Sequence, residues 1–298
     1  MRITVAAPAK VNLRLRVGAR DPSGFHSLDT LFCSLHLADS VVLRGGEGSG
    51  PQLDVGYARP LKVAPDMGPP EENLAVRAAR AVMERAGLER GPEIRLVKRI
   101  PAGAGLGGGS SDAAAVLRAM RRLYPGDLDG GDLMALGNEL GSDVPFFVMG
   151  AAFAHGTGRG ERLAALAPLP ARPVVVVIPD FPVATAEAYR WLDQDREQEG
   201  TAAPDVPDQP IHGRDLTWDA VADEAVNHFE GPVFRRRPEL ETIRDRLREH
   251  GARPALLAGS GSTVFGVFDR GGDARSAADA LTAADPSLRV LVTRTRTR

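Results

Sequence analysis

Several stretches of this sequence combine residue types that could do chemistry. The longest is Pro101-Ala102-Gly103-Ala104-Gly105-Leu106-Gly107-Gly108-Gly109-Ser110-Ser111-Asp112, with five glycines in seven positions. Backbone that lacks Cβ atoms adopts left-handed conformations freely and comes close to a ligand, so the N–H groups of such a loop can turn inward on an anion. Ile94, Leu96, Val97 and Ile100 before it have the pattern of a strand. Ala113 to Leu123 after it is a strong helix former, with Ser110 or Ser111 as the N-cap. Strand, glycine loop and helix N-terminus together make a phosphate site, because unpaired N–H groups and the helix dipole both favour negative charge. No Lys follows Gly109, which excludes a P-loop. Gly103, Gly105 and Gly108 match the Gly-x-Gly-x-x-Gly spacing of a dinucleotide site. That fold, however, needs a second strand ending in an acid soon after Leu123, where Tyr124 to Gly131 reads as a loop.

Four smaller groups accompany the loop. In Pro8-Ala9-Lys10-Val11-Asn12-Leu13, Lys10 and Asn12 share one face of a strand, a face that either meets solvent or lines a cleft. Lys10, Lys62 and Lys98 are the only lysines in an arginine-rich chain, and a retained Lys points to a need for a compact ammonium. Phe25-His26 directly follows the turn Asp21-Pro22-Ser23-Gly24, with His26 as a ligand contact or as a surface or structurally bonded histidine. Asp143 lies in Gly141-Ser142-Asp143-Val144-Pro145, at a helix-to-strand turn if Pro145 holds Val144 extended; it is either a turn former or a catalytic carboxylate. The turn Gly259-Ser260-Gly261-Ser262, between two apolar runs, is a tight hairpin or a second place where backbone approaches a phosphate.

The elements that must position these residues follow from patterning. Ile3 and Val5, then Val11 to Val17, alternate as strands interrupted at Pro8; strand-like runs follow at Leu28 to Leu37 and Val41 to Leu43, with a hairpin loop at Gly45 to Pro51. Residues 57 to 70 are irregular, and Glu71-Glu72-Asn73 caps a helix that runs to about Ala86 and stops at Gly87. Further along come a helix over Asp132 to Leu140, a buried strand over Val174 to Ile178, a helix over Thr185 to Leu192 and a mobile loop over 196 to 212. A solvated helix over Glu239 to Glu249, a helix over Asp273 to Ala283, a strand over Arg289 to Val292 and a fraying basic tail complete the chain. A length of 298 residues with 43% hydrophobic content suits two domains, with a boundary near Gly156 to Gly160. The net charge of −2 argues against nucleic-acid and membrane-surface partners. The single cysteine, Cys33, excludes an internal disulfide or a cysteine metal site and suits a buried apolar role. Without a signal peptide or a run of 18 apolar residues, a soluble cytoplasmic protein is expected, acting on a small molecule.

Pro8 to Leu13, Pro101 to Ser111 leading into Asp112-Ala113-Ala114, and Leu257 to Thr263 resemble, in order, the three motifs of the GHMP kinase superfamily of small-molecule kinases. Gly24-Phe25-His26-Ser27-Leu28, Glu72-Asn73-Leu74 and Gly141 to Pro145 are similar to the branch that phosphorylates the 2-hydroxyl of cytidine diphosphate-linked methylerythritol in the non-mevalonate isoprenoid pathway. The resemblance implies an α/β fold of the α+β type. An ATP-binding N-terminal domain would span 1–158 and a smaller substrate-binding C-terminal domain 159–298, with a cleft between them. It implies that ATP lies on Pro101, Ala102, Gly103, Ala104, Gly105, Leu106, Gly107, Gly108, Gly109, Ser110 and Ser111, with Asn73 near the adenine. The cytidine would stack on Phe25 and His26, with Thr185 and Tyr189 beside it and Asn12, Gly259 and Ser260 completing the substrate site. Asp143 would act as base and Lys10 as charge stabiliser. ATP would enter as its Mg²⁺ complex, with no metal ligand assigned, and the protein would be a monomer or homodimer with neither nucleic-acid nor membrane partners. Phe25 stands where the family usually has Tyr, which keeps stacking and loses a hydroxyl; Asp112 suits the helix dipole but would repel nearby phosphates unless Mg²⁺ or its orientation intervenes. The competing readings are a homoserine or mevalonate kinase and a nucleotide-binding regulator with a dead site.

Overall fold

In the computed structural model, which describes residues 1–58, 68–124, 126, 128–213 and 216–298, the alternating residues at the start of the chain form two long strands, β1 (Arg2–Arg20) and β2 (His26–Gly45). There follow β3 (Gln52–Tyr57), a single 3-10 turn (Pro70–Glu72), α1 (Leu74–Ala86), β4 (Pro92–Lys98), α2 (Gly108–Leu123), α3 (Gly130–Leu140), α4 (Val144–Met149), β5 (Phe153–Thr157) and β6 (Arg162–Leu166). The rest is β7 (Pro173–Ile178), α5 (Thr185–Glu199), α6 (Trp218–Asp223), β8 (Val226–Asn227), α7 (Glu230–Arg236), α8 (Pro238–Glu249), β9 (Ala255–Leu257), β10 (Val264–Val267), α9 (Gly271–Ala284) and β11 (Arg289–Arg294). The fold is mixed α and β. No described helix is long and apolar enough to cross a membrane. Contacts divide the chain into two units that interleave in sequence: unit one is Met1–Ala9, Leu37–Ala102 and Gly107–Gly150, and unit two is Lys10–His36, Gly103–Leu106 and Ala151–Arg298.

In unit one, β4 lies between β3, to which it is parallel from Gln52↔Glu93 to Tyr57↔Lys98, and the second half of β2, to which it is antiparallel from Ser40↔Val97 to Gly45↔Pro92. The glycines of 45–51 therefore connect strands that are not neighbours, and the expected hairpin is absent. The loop is held by backbone bonds between Gly46 or Gly48 and Gly91. Helix α1 packs on α2, and α2 on α3 and α4. Val76, Val82, Val116, Leu117, Leu133, Phe146 and Phe147 are among the residues buried there. As expected, Asn73 caps α1 by accepting from the Ala75 N–H, and Gly87 ends it in a left-handed conformation at φ 62°.

In unit two, the first half of β2 is antiparallel to β5, β5 pairs with β6, and β1 runs parallel to β8 through Arg14↔Val226 and Leu15↔Asn227. A separate antiparallel sheet has the order β11-β7-β10-β9. Its central strand β7 is the buried run expected at Val174 to Ile178, inaccessible because β10 and β11 flank it and α9 packs on it. Val175, Val177, Phe229, Val233, Leu240, Leu247, Leu257 and Val264 share this core, and Cys33 is buried elsewhere in the unit.

Several expectations are corrected. Pro8 does not interrupt β1, because the side of the strand to which its nitrogen points is met, at Lys10, by the carbonyl of Leu106 rather than by a strand, so no ladder bond is lost. Val41 to Leu43 is the end of β2, not a separate strand. Helix α2 starts at Gly108 with Gly107 in the cap position at φ 69°, so Ser110 and Ser111 lie inside the helix and do not cap it. Val144 and Pro145 open a helix rather than a strand, since proline in a first turn forfeits no helical hydrogen bond. The segment 196–212 is not a loose loop. Its first residues end α5, the Asp208 carbonyl accepts from Thr157 and Arg162, and the Ile211 N–H donates to His155. Helix α8 is not wholly solvated, because Leu240, Ile243 and Leu247 form a buried stripe. The tail is pinned by N–H bonds from Thr295 to the Arg172 carbonyl and from Arg296 to that of Ser34. Of the irregular stretch 57–70, residues 59–67 lie outside the described residues, as do 125 and 127 of the loop after α2.

Candidate active site

Unit two brings Lys10 and Asn12 together on the inner face of β1. The Lys10 ammonium donates to Asn12 Oδ1 at 2.8 Å, and Asn12 Nδ2 donates to Thr30 Oγ1 at 2.7 Å. Thr30 in turn donates to the Arg14 carbonyl at 2.9 Å, so the relay ends on backbone. Of the two faces allowed by alternation, the buried one is realised: Lys10 is 5% exposed and Asn12 2%. Lys10 Nζ also lies 5.6 Å from the centroid of the Phe32 ring.

The glycine loop meets the Gly259 turn in the same unit. The backbone of Lys10 donates to Leu106 O at 3.0 Å. A Cβ on Gly105, whose φ is +72°, would lie 2.2 Å from the Ala258 carbonyl oxygen. A Cβ on Gly259 would lie 3.2 Å from Gly105 O and 3.7 Å from Lys10 Nζ. Two glycine turns thus approach each other beside one ammonium, as only residues without side chains allow. Asn227 sets the second turn by donating from Nδ2 to the carbonyls of Leu257 and Gly259 at 2.8 and 2.7 Å. Ser260 exchanges a 3.0 Å hydrogen bond with Thr185 at the start of α5.

The expected cytidine residues separate into two environments. His26 is buried, with Nδ1 3.1 Å from the Gly18 carbonyl and Nε2 3.3 Å from Asp193, and it stacks on Tyr189 at 5.1 Å between ring centroids. Tyr189 meets Phe229 edge-on. Phe25 is 52% exposed, and the Arg159 guanidinium lies 3.7 Å from its ring centroid. Arg159 is also bonded to Ser23 at 2.8 Å, so the turn before His26 is held from outside.

Unit one carries Asn73, Pro101, Ala102, Gly107 to Ser111, and Asp143. Asn73 uses its side-chain oxygen as the cap of α1. Asp143 is half-buried at the residue preceding α4. Asp112 is turned toward Lys98: it is 3% exposed and accepts from Lys98 at 2.5 Å. Burial, with Asp39 nearby, pushes its carboxyl up to about 7 against the opposing pull of Lys98. Burial disfavours the Lys98 ammonium, but Asp112 and Asp39 outweigh it and hold that group above its usual range. Ser111 Oγ and Asp112 Oδ1 are buried without a hydrogen-bond partner. The scarcity of lysine singled out Lys98 in the sequence; Asp39 had no such signal. Nor did the buried group in unit two where Asp29 accepts from Arg14 and faces His155 at 2.8 Å. Burial raises the Asp29 carboxyl, but His155 and Arg14 more than offset this and hold it low.

Two family models match the chain: "GHMP kinases N terminal domain" over residues 73–151 and "GHMP kinases C terminal" over 208–287. The 4-diphosphocytidyl-2-C-methyl-D-erythritol kinase of Thermus thermophilus is 44% identical over 279 residues, covering 93% of this chain and 92% of the relative. The kinase of the same name from Anaeromyxobacter sp. (strain K) is 43% identical, covering 94% of this chain and 85% of the relative. A crystal structure of 4-(cytidine 5'-diphospho)-2C-methyl-D-erythritol kinase is similar with a TM-score of 0.76 and 40% identity, covering 98% of this chain and 99% of that one. With 40 to 44% identity sustained over nearly the whole length, the chain belongs to the 4-diphosphocytidyl-2-C-methyl-D-erythritol kinase family of GHMP kinases and is a small-molecule kinase.

Proposed function

We propose that this chain transfers the γ-phosphoryl group of Mg-ATP to the 2-hydroxyl of 4-diphosphocytidyl-2-C-methyl-D-erythritol, in the cytoplasm, as a step of non-mevalonate isoprenoid synthesis. The observation that carries this reading is the approach of Gly105 and Gly259 to each other beside the Lys10–Asn12 pair. Main-chain dipoles and one fixed ammonium are what a transferring phosphoryl group needs, since such catalysis is mostly positioning and charge stabilisation. The names of the relatives, and an exposed Phe25 next to a stacked His26, support the cytidine-linked acceptor.

In this reading, residues 1–158 form the ATP-binding domain and 159–298 the C-terminal domain. Pro101 to Ser111 hold the phosphates, Asn73 stands by the adenine, and Asn12, Phe25, His26, Thr185, Tyr189, Gly259 and Ser260 bind the acceptor. Asp143 takes the proton of the 2-hydroxyl as the oxygen forms its bond to the γ-phosphorus, while the bond from that phosphorus to the bridging oxygen of ADP breaks. Lys10 offsets the charge spread over the phosphoryl oxygens. Among the described residues, no cluster of three or more His, Cys, Asp or Glu side chains is placed to hold a metal. Mg²⁺ enters with the nucleotide, where phosphate oxygens and water supply most of its coordination. The test is phosphorus and carbon NMR of the product. A new phosphomonoester on the 2-carbon is expected, and a phosphate on any other hydroxyl would remove the assignment.

A further inference from the structure

We propose that the buried Asp39–Lys98–Asp112 cluster of unit one is a positioning site for nucleotide binding, tying together the two ends of the glycine loop. The proposal rests on the reading that this loop holds the ATP phosphates. Lys98, the last residue of β4, donates to Asp39 Oδ2 and to Asp112 Oδ2, each at 2.5 Å. The other oxygen of Asp39 accepts the backbone N–H groups of Arg99 and Ile100, the latter at 2.8 Å, so it fixes the two residues that lead into Pro101. Asp112 lies on α2, which begins where the loop ends. One ammonium therefore joins the entry of the loop to the helix at its exit.

The packing supports the same role. A Cβ on Gly108 would lie 3.0 Å from Ile100 Cγ2 and 3.5 Å from Lys98 Nζ, so the first turn of α2 packs closely against Lys98 and Ile100, and a side chain there would have to displace Ile100. All three charged groups are nearly inaccessible: Asp39 is 1% exposed, Asp112 3% and Lys98 6%. An ion pair kept only for stability is poorly served by burial, because desolvation consumes most of the attraction. Two carboxylates around one ammonium are a still less favourable choice. What the arrangement supplies is geometry, holding the N–H groups at the start of α2 at a set distance from the strand that carries the loop. It also places a cation where an unbalanced pair of carboxylates would otherwise oppose the nucleotide's charge.

The test is calorimetric binding of Mg²⁺ with a non-hydrolysable ATP analogue, and separately of 4-diphosphocytidyl-2-C-methyl-D-erythritol, to the full chain. Lys98→Met is expected to weaken analogue binding by about 10- to 100-fold, the scale of a misplacement of order 1 Å, with acceptor affinity unchanged. Lys98→Met/Asp112→Asn, which removes one uncompensated carboxylate, is expected to recover part of that loss. Where Lys98→Met does not fold, Asp39→Asn carries the same expectation, since it keeps an acceptor for the two N–H groups and breaks the tie to Lys98. Unchanged analogue affinity in a folded variant would overturn the proposal, as would equal loss for both ligands, the signature of general packing damage. Wild-type protein that binds the acceptor and no ATP analogue would overturn the phosphate-loop reading itself.

Discussion

The ammonium of Lys10 is bonded to Asn12 Oδ1 at 2.8 Å, between two residues that share a face of β1. Asn12 is in turn locked through Thr30 to the main chain. The charge is thus held in one direction before any ligand arrives, which is the condition for electrostatic catalysis without reorganisation. Replacing Lys10 by Met should lower kcat by about 10²- to 10³-fold, the effect of losing one preorganised donor, and leave ATP affinity little altered. Steady-state kinetics with both substrates varied checks this. A Lys10 that mattered only to the fold would instead lower the melting temperature and spare kcat.

In the proposed mechanism Asp143 is the proton acceptor, and it should be replaceable by Asn in shape and not in function. A general base contributes about 10²- to 10⁴-fold, so Asp143→Asn should retain substrate binding and lose turnover on that scale. An Asp143→Asn enzyme with nearly full kcat would return this residue to a turn-forming role.

Gly105→Ala tests the contact between the two glycine turns. The added methyl would lie 2.2 Å from the Ala258 carbonyl oxygen, at a φ of +72°. A destabilisation of about 1–3 kcal/mol is expected in urea unfolding, within the range for strain and overpacking, together with a fall in kcat/KM.

In the proposed site, Phe25→Ala removes a stacking surface worth about 0.5–1.5 kcal/mol, and so should raise KM for the cytidine-linked acceptor about two- to thirteenfold with KM for ATP unchanged. Unaltered acceptor affinity would favour a kinase of another acceptor class.

Asp112 ties stability to pH. Its carboxyl is raised from an ordinary value of 3.8 to about 7 by burial, flanked by Asp39 and Lys98. Between those values the folded chain binds a proton that the unfolded chain has released, so this group's contribution is full below about pH 4 and is lost as pH rises toward 7. Unfolding followed at pH 5 and pH 8 should show wild type losing stability relative to Asp112→Asn across that interval. Parallel curves for the two proteins would mean that Asp112 stays ionised when folded.

Much of this architecture was legible from local chemistry. The glycine loop, the Asn73 cap with its Gly87 stop and the buried β7 all follow from composition and period. What escaped depended on distant partners. Pro8 reads as a break until Leu106 is seen to meet that side of β1, and Pro145 reads as extended until it is placed in a first helical turn. Lys98 stood out as a rare lysine, whereas Asp39, 59 positions away, gave no local sign of being its partner. Asp112 posed a conflict with phosphate for which Mg²⁺ or orientation is the expected answer, and its bond to Lys98, a distant residue in the sequence, is the orientation the structure shows.

The most direct test of the central claim is ADP production by the purified protein with Mg-ATP, comparing 4-diphosphocytidyl-2-C-methyl-D-erythritol with homoserine and mevalonate as acceptors. Turnover with the cytidine-linked compound alone is predicted. Turnover with homoserine or mevalonate instead, or ATP binding with no acceptor consumed, would contradict the account.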